Sequence, residues 1–328
     1  MKRHPSKPTR KLSLQAVFLT VVVAVCCATF GYMLFARSAV MRLEDIPFNG
    51  ARAYEYLERL CEIGPRPSGS AGMKRQQDLL AEHFRELGGQ VEFQRFEYEH
   101  PLDGSPVEIA NLIVRWHPER TERILLCAHY DTLPYPMLDR MDPRGKFVGA
   151  NDNASGVALL MELAHDVPEL DCRYGIDFVL FDAEEFIFDH GGRFFVGSEH
   201  FARAYADDPP PYRYRWGVLL DMVGDANLQL YQESFSMGWE DTRPLVEQIW
   251  STAERLGVRD FIPRTKHEVL DDHTKLHDIA GIPCCDVIDF DYSPWHTRAD
   301  TPARCSALSL AKVGWVIREW LVNLKSEI

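Results

Sequence analysis

Short apolar segments that alternate with longer amphipathic segments constrain the fold of this chain most strongly. The apolar segments are four to six residues long, a length and composition typical of buried strands. They cover residues 123–128, 177–181, 216–220 and 285–288. Helix-like stretches separate them, among them residues 154–166 and 244–256. This order predicts a three-layer α/β/α domain with a mixed, largely parallel central sheet.

The same patterns place the remaining predicted elements. Leucine and phenylalanine at helical spacing predict a helix over residues 71–87, which Gly88 and Gly89 end. A further helix is predicted near the C-terminus, over residues 306–324. Two further strands are predicted in the N-terminal half, over residues 91–98 and 111–116. A run of three prolines, residues 209–211, indicates a surface loop.

The N-terminal segment has the composition of a membrane span. Residues 12–36 contain no ionisable side chain except two cysteines and one tyrosine. About 20 apolar residues cross a bilayer core as a helix. Residues 1–11 carry five lysines and arginines and no acid, which predicts that they stay cytoplasmic.

We therefore expect a basic cytoplasmic tail over residues 1–11, a transmembrane signal anchor over 12–36 and a linker over 37–50. The folded domain, residues 51–328, would then lie on the luminal or extracytoplasmic side of a single-pass membrane protein. A cleaved signal peptide, which would make the protein secreted, and a buried helix are the alternatives.

The charge of the chain excludes one class of partner. The sequence has 36 Lys and Arg against 49 Asp and Glu, a net charge of −13. Because five of the basic residues lie in the N-terminal tail, the body is more acidic still. Nucleic-acid binding needs a basic face, so no nucleic-acid partner is expected. The only predicted membrane contact is the N-terminal segment.

Metal-binding side chains follow the ends of several predicted strands. Carboxyl ends of parallel strands meet at one edge of a sheet, so these side chains should lie close together. Imidazole and carboxylate groups together form the ligand set of catalytic zinc. The candidates are His129, Asp152, Glu184, Glu185, Asp221 and His296.

Each candidate also has an ordinary structural explanation when it is taken alone. His129 fits a loop histidine, and Asp152 fits an acid that caps the following helix. Glu184 and Glu185 are harder to explain, because two adjacent acids after an apolar strand repel each other unless a cation is present. Neighbours in an extended chain point in opposite directions. One glutamate of the pair can therefore bind metal while the other transfers protons.

On these residues the sequence resembles the zinc-dependent M28 peptidase family, which includes aminopeptidases and glutaminyl-peptide cyclotransferases (glutaminyl cyclases). The resemblance covers residues from about 50 to 325 and includes the segments 63–70 and 111–113. It implies that Asp152, Glu185 and His296 bind the catalytic zinc and that Glu184 is the proton-transfer carboxylate. His129 and Asp221 match the positions that hold a second metal in di-zinc aminopeptidases, where Asp152 would bridge. In mammalian-type cyclases the same positions hold no second zinc, so the ligand set leaves both activities open.

Two further motifs resemble the cyclase branch, and one loop does not. Trp295-His296-Thr297 and Asp271-Asp272-His273 are similar to cyclase patterns. They imply that Asp272 stabilises the reacting amide and that Trp295 forms an apolar wall of the substrate pocket. Residues 149–156 read Gly-Ala-Asn-Asp-Asn-Ala-Ser-Gly, which resembles the peptidase version of that loop.

The sequence thus supports three hypotheses. The first is a glutaminyl-peptide cyclotransferase that uses one or two zinc ions to convert an N-terminal glutamine of a peptide or protein to pyroglutamate, with release of ammonia. The alternative is a di-zinc aminopeptidase that hydrolyses N-terminal residues. The third is a membrane-anchored binding module without catalysis, against which the intact pair of glutamates and both histidines argue.

Overall fold

The computed structural model describes residues 22–23, 41–188 and 191–324. The predicted transmembrane segment, residues 12–36, lies outside the described residues except for Val22 and Val23, and it stays a prediction. Within the described part of the chain, no helix is long and apolar enough to cross a membrane. A compact unit begins at Leu43. Because Ile46 and Phe48 are buried, part of the stretch predicted as a linker packs onto this unit.

Ten strands are found among the described residues. They are β1 (Gln90–Glu99), β2 (Pro106–Trp116), β3 (Glu122–His129), β4 (Gly175–Phe181), β5 (Glu185–Phe188), β6 (Gly191–Phe194), β7 (Arg213–Asp221), β8 (Leu230–Gln232), β9 (Phe261–Thr265) and β10 (Cys284–Ile288). Six of them form the central sheet in the order β1-β2-β4-β3-β7-β10. The other four form two small two-stranded sheets, β5 with β6 and β8 with β9.

Helices cover both faces of the central sheet. They are α1 (Gly50–Ile63), α2 (Ala71–Glu86), α3 (Ser155–Leu163), α4 (Val196–Asp207), α5 (Ser234–Gly238), α6 (Arg243–Leu256), α7 (Asp272–Ala280) and α8 (Ala307–Asn323). One layer contains α1, α3, α6 and α8, which pack on one another, and α2 packs beside α1 and α3. Helices α4 and α7 pack together in the opposite layer. The predicted α/β/α architecture is confirmed.

The sheet is mixed and largely parallel, as predicted. Strands β4, β3, β7 and β10 run parallel to one another, whereas β1 and β2 pair antiparallel at one edge. Every residue of β4 and nearly every residue of β3 is buried, because helices cover both faces of these strands. Their continuous apolar sequences follow from that environment.

Helices α1, α4, α5 and α7 were not among the predicted elements. Helix α1 carries a readable signal, since Ala53, Leu57 and Leu60 are buried at helical spacing. Helix α7 carries much less, because its sequence is mostly polar and Leu276 is its only buried apolar side chain. The predicted proline loop at residues 209–211 is confirmed as a mostly exposed segment between α4 and β7.

The parallel pairing brings the predicted site residues to one edge of the sheet. His129, the last residue of β3, pairs with Phe181, the last residue of β4. Asp221 ends β7 and pairs with Ile288 at the end of β10. The loops that follow these four strands therefore converge on one region, which is where open α/β sheets bind ligands.

Candidate active site

The first cluster of metal-binding groups joins β3, β7 and the loop before α3. His129 and Asp221 end their strands, and Asp152 lies in the turn that leads into α3. The His129 Nε2 atom lies 3.1 Å from Asp152 Oδ1 and 3.6 Å from Asp221 Oδ1. All three side chains are buried.

The second cluster shares Asp152 with the first. The His296 Nε2 atom lies 2.9 Å from Glu185 Oε1 and 3.4 Å from Asp152 Oδ2. The two oxygens of Asp152 therefore face two different histidines, one in each cluster. The Glu185 Oε2 atom accepts a hydrogen bond of 2.7 Å from the backbone N–H of Leu133, which holds Oε1 toward His296.

These residues fit a divalent metal ion. In each cluster, one ligand atom per residue lies within 4.8 Å of the others, and a third such group contains His129, Glu184 and Glu185. Several of these buried atoms have no hydrogen-bond partner of suitable geometry: His129 Nδ1, Asp152 Oδ2, Glu185 Oε1 and Asp221 Oδ1. Unpaired buried carboxylates are costly without a compensating cation. Imidazole with carboxylate is the donor set that suits zinc.

Two buried aspartates that were not predicted as site residues hold the loops in place. Asp131 accepts hydrogen bonds from the backbone N–H groups of Glu184 and Glu185, at 3.1 and 3.0 Å. Asp300 accepts from the backbone N–H groups of Asn151 and Asp152, at 2.8 and 3.2 Å. Asp131 had a weak sequence signal, because it follows His129 by two residues. No local pattern marks Asp300.

A cavity of about 270 Å³ opens beside the metal-binding clusters. Carboxylates of Asp152, Glu184, Glu185, Asp221 and Asp271 line its polar side. Its other walls are mainly apolar and aromatic, formed by Phe194, Phe195, Met222, Val269, Leu270, Ile288, Phe290 and Trp295. The structure thus places Trp295 in the cavity wall, as the resemblance implied. Its ring stacks on His296, with the ring centres 3.9 Å apart.

Of the two acids at the start of α7 only Asp271 lines the cavity, and the catalytic role predicted for Asp272 stays a prediction. Asp272 is fully buried and does not line the cavity, whereas Asp271 does. The reason is the start of α7 between them. Asp271 is the extended capping residue, and its side chain accepts a 2.6 Å hydrogen bond from the Asp272 N–H. Asp272 is the first helical residue, and neither oxygen of its buried carboxylate has a hydrogen-bond partner of suitable geometry.

Burial dominates the electrostatics of the cavity acids. It raises the pKa of Glu184 well above its ordinary value; His129 opposes this shift, and Asp271 adds to it. Burial, together with the charge of Asp221, also raises the pKa of Asp271. A bound metal cation lowers the pKa of nearby acids, so it would make the raised pKa values of Glu184 and Asp271 less extreme. The raised pKa of Glu184 is a shift in the direction that general acids and bases often show.

The chain is similar to known proteins in sequence and in fold. The model of Peptidase family M28 matches residues 111–321. The crystal structure of Fimbriiglobus ruber glutaminyl cyclase is 40% identical, with a TM-score of 0.80, and the match covers 84% of this chain and 95% of that one. A Zn-dependent exopeptidase from Parabacteroides distasonis is 32% identical, with a TM-score of 0.77, over 84% of this chain and 98% of that one.

The chain is also similar, at lower sequence identity, to a curated protein from mouse. The mouse glutaminyl-peptide cyclotransferase-like protein is 27% identical over 267 residues, which are 73% of this chain and 66% of that protein. The chain thus spans slightly less than two thirds of this relative. The family model covers well over half of the chain, and the predicted resemblance is confirmed. This chain is a member of peptidase family M28.

Proposed function

We propose that this chain is a zinc-dependent glutaminyl-peptide cyclotransferase, which converts an N-terminal glutamine to pyroglutamate and releases ammonia. The observation that carries the proposal is the small cavity, in which Glu184 and Asp271 lie beside the metal-binding clusters and aromatic walls close the rest. The similarity to glutaminyl cyclases supports it. An N-terminal residue of a peptide or protein is the substrate that such a cavity fits.

We infer that Asp152, Glu185 and His296 hold the zinc ion that the reaction needs. Bound zinc supplies Lewis acidity toward a carbonyl oxygen of the substrate. The remaining metal-binding side chains, His129 and Asp221, form the second cluster with Asp152.

The chain's own residues would carry the proton transfers. In the reaction, the α-amine of the glutamine attacks the side-chain amide carbon, a C–N bond of the five-membered lactam forms, and the bond to the amide nitrogen breaks. Glu184 accepts the proton that the amine loses and donates it to the departing nitrogen, which leaves as ammonia. We infer that Asp271, which lines the cavity, holds the amide nitrogen during this step, the role that the resemblance implied for Asp272.

Positioning accounts for much of the remaining catalysis. The reaction is intramolecular, so the cavity needs to hold the amine and the amide close together rather than bring in a second reactant. Trp295, stacked on His296, and Phe290 beside it form a wall that confines the glutamine side chain and limits water in the cavity.

A second candidate function is that of an aminopeptidase. The specific observation that favours it is the pair of three-residue clusters that share Asp152, which together would hold two metal ions. In that case Glu184 would take a proton from an attacking water.

One experiment separates the two candidates. The zinc-loaded protein is incubated with a glutaminyl peptide and with a leucyl peptide, and both are followed by mass spectrometry. Loss of one ammonia from the first, with the second unchanged, is the result expected for the cyclotransferase. Release of free glutamine or leucine would instead establish the aminopeptidase. The zinc content per chain, measured by elemental analysis, shows whether one cluster or both are filled.

A further inference from the structure

The mouth of the active-site cavity combines an acid with exposed apolar side chains. Glu268, Leu270 and Phe194 all line the cavity and all reach the surface. Leu270 is 66% exposed and Phe194 is 37% exposed. Such exposed apolar groups beside a binding cavity indicate that they contact a ligand.

The carboxylate of Glu268 has no partner among the residues that the structure describes: no hydrogen bond or ion pair links it to another side chain. The basic side chains nearby are engaged elsewhere. Lys266 and His267 both contact Asp291. Lys275 lies over the ring of Phe195, with Nζ 5.2 Å from the ring centre. Glu268 thus contributes an unpaired negative charge to the mouth of the cavity.

The deeper acids of the cavity have other tasks. Asp152, Glu185 and Asp221 belong to the metal-binding clusters, and Glu184 and Asp271 face the reacting groups. A volume of about 270 Å³ is at the low end for ligand pockets and leaves room for one amino-acid side chain with its amine. The residue that follows the glutamine must therefore lie at the mouth.

The chemistry of the mouth selects a particular kind of second residue. Arginine and lysine have a long apolar stem and a cationic end, and they bury the stem while the charge remains near water. At this mouth the stem can pack on Leu270 and Phe194 while the cationic end pairs with Glu268. An acidic second residue would face the same carboxylate and be repelled.

We propose that Glu268, with Leu270 and Phe194, makes this enzyme select peptides whose N-terminal glutamine is followed by arginine or lysine. The inference rests on the proposed cyclotransferase function and adds its substrate class. Glu268 acts as a specificity-determining residue and takes no part in the proton transfers.

The test compares kcat/KM for three peptides that differ only at the second residue: arginine, citrulline and glutamate. Citrulline matches arginine in shape but carries no charge. We expect arginine to exceed citrulline by about two- to fivefold, the range of an exposed ion pair, and glutamate to be the poorest. High salt should shrink the difference between arginine and citrulline, because it screens exposed charges.

Substitutions at the mouth should change the order of the peptides and not the chemistry. Glu268→Gln should bring arginine and citrulline to the same kcat/KM, and Glu268→Lys should place glutamate above arginine. Leu270→Ser should lower kcat/KM for arginine and citrulline alike, since both stems lose an apolar contact. The matched control is Glu254→Lys, which makes the same change of charge at an exposed position of α6 that does not line the cavity. It should leave the order unchanged.

The outcomes distinguish this inference from the function on which it rests. Equal constants for arginine and citrulline in the unaltered protein, or a Glu268→Lys variant that still prefers arginine, would overturn the selection by Glu268. In both cases all peptides would still lose ammonia. A protein that releases ammonia from none of the three peptides would overturn the proposed function itself, and the inference with it. The unfolding midpoint and the zinc content of Glu268→Lys, compared with those of the unaltered protein, show whether the variant is folded.

Discussion

The two ends of the same strands contain two buried clusters of opposite character. At the carboxyl end, His129 terminates β3 beside carboxylates whose buried oxygens lack hydrogen-bond partners. Near the amino end, Arg123 of β3 and Asp177 of β4 form a buried ion pair. Arg123 and His129 are six residues apart along β3, about 20 Å. The side chains at the carboxyl end are suited to bind a metal ion, whereas those at the amino end pair with each other and stabilise the fold.

The amino-end cluster is satisfied by the chain itself. Arg123 Nε lies 3.0 Å from Asp177 Oδ1, and its other nitrogens donate to the backbone carbonyls of Trp116, His117 and Arg120. The Tyr214 hydroxyl donates to Asp177 Oδ2 over 2.6 Å. At the amino end the Arg123 guanidinium supplies the positive charge. At the carboxyl end carboxylates outnumber histidines, which favours binding of a metal ion.

Removal of metal should produce the largest effect and should act on the carboxyl end alone. We expect a chelator to abolish activity and zinc to restore it, because the unpaired acids then lose their cation. Bound metal at about 1,000 times its Kd stabilises a fold by roughly 4 kcal/mol, so the unfolding midpoint in urea should fall on chelation. Urea unfolding curves and activity assays, each run before and after chelation, measure both effects. An activity that survives complete removal of metal would contradict the assignment of the two clusters.

Glu184→Gln should lower kcat by about 10²- to 10⁴-fold, the usual contribution of a positioned general acid or base. The amide keeps the size of the side chain but cannot carry the proton. The zinc content and the unfolding midpoint should remain close to those of the unaltered protein, since Glu185, not Glu184, accepts the hydrogen bond from Leu133. Kinetics with a glutaminyl peptide and elemental analysis test both statements. Loss of zinc along with activity would make Glu184 a ligand.

Breaking the ion pair at the amino end should lower the stability of the fold and leave kcat unchanged, the reverse of the effect of Glu184→Gln. Asp177→Asn leaves the buried Arg123 charge without its partner, which costs about 3–5 kcal/mol of unfolding free energy. The kcat of the molecules that remain folded should be unchanged, because the pair lies far from the cavity. Urea unfolding and activity at low temperature measure the two quantities. A large loss of kcat with no loss of stability would contradict the division between the two ends.

The buried acids Glu233 and Glu185 differ in the direction in which their surroundings shift the pKa. The Glu233 carboxylate accepts hydrogen bonds from the backbone N–H groups of Phe235, Ser236 and Val269 and lies 3.3 Å from His273 Nε2. Burial opposes its charge, but the contact with His273 and the backbone donors prevail and lower the pKa of Glu233 to about 2. In the same protein, burial and the charge of Asp152 raise the pKa of Glu185 to about 8, against the effect of His296.

The lowered pKa of Glu233 predicts the direction of a pH effect on stability. Because the folded pKa lies below the unfolded value of about 4.5, the contribution is complete above pH 4.5 and is lost as the pH falls toward 2. A shift of this size corresponds to about 3 kcal/mol. Unfolding free energies measured between pH 5 and 2 should fall less steeply in Glu233→Gln than in the unaltered protein. Parallel curves for the two proteins would contradict this account.

The sequence predicted those parts of the site that depend on strands. Continuous apolar segments locate β3 and β7, so His129 and Asp221 could be placed at the same edge of the sheet from the sequence alone. The paired acids Glu184 and Glu185 stood out because they follow such a segment directly. Asp300 could not be found in this way, since it acts through backbone N–H groups almost 150 residues away in sequence. The sequence also could not tell which of Asp271 and Asp272 lines the cavity, because that depends on the residue at which α7 begins.

That ambiguity gives the smallest and most local prediction. Asp271→Asn should lower kcat for a glutaminyl peptide by roughly tenfold, a loss of about 1.4 kcal/mol of transition-state stabilisation, because the amide cannot supply the charge that faces the substrate. Asp272→Asn should change kcat by much less, since its side chain is buried outside the cavity. The two substitutions are chemically identical and adjacent, so each serves as the control for the other. Steady-state kinetics, with the unfolding midpoint of each variant measured in parallel, separates a loss of catalysis from a loss of fold. A larger loss of kcat in Asp272→Asn would show that the resemblance at this motif was the better guide, and that the start of α7 shifts when substrate binds.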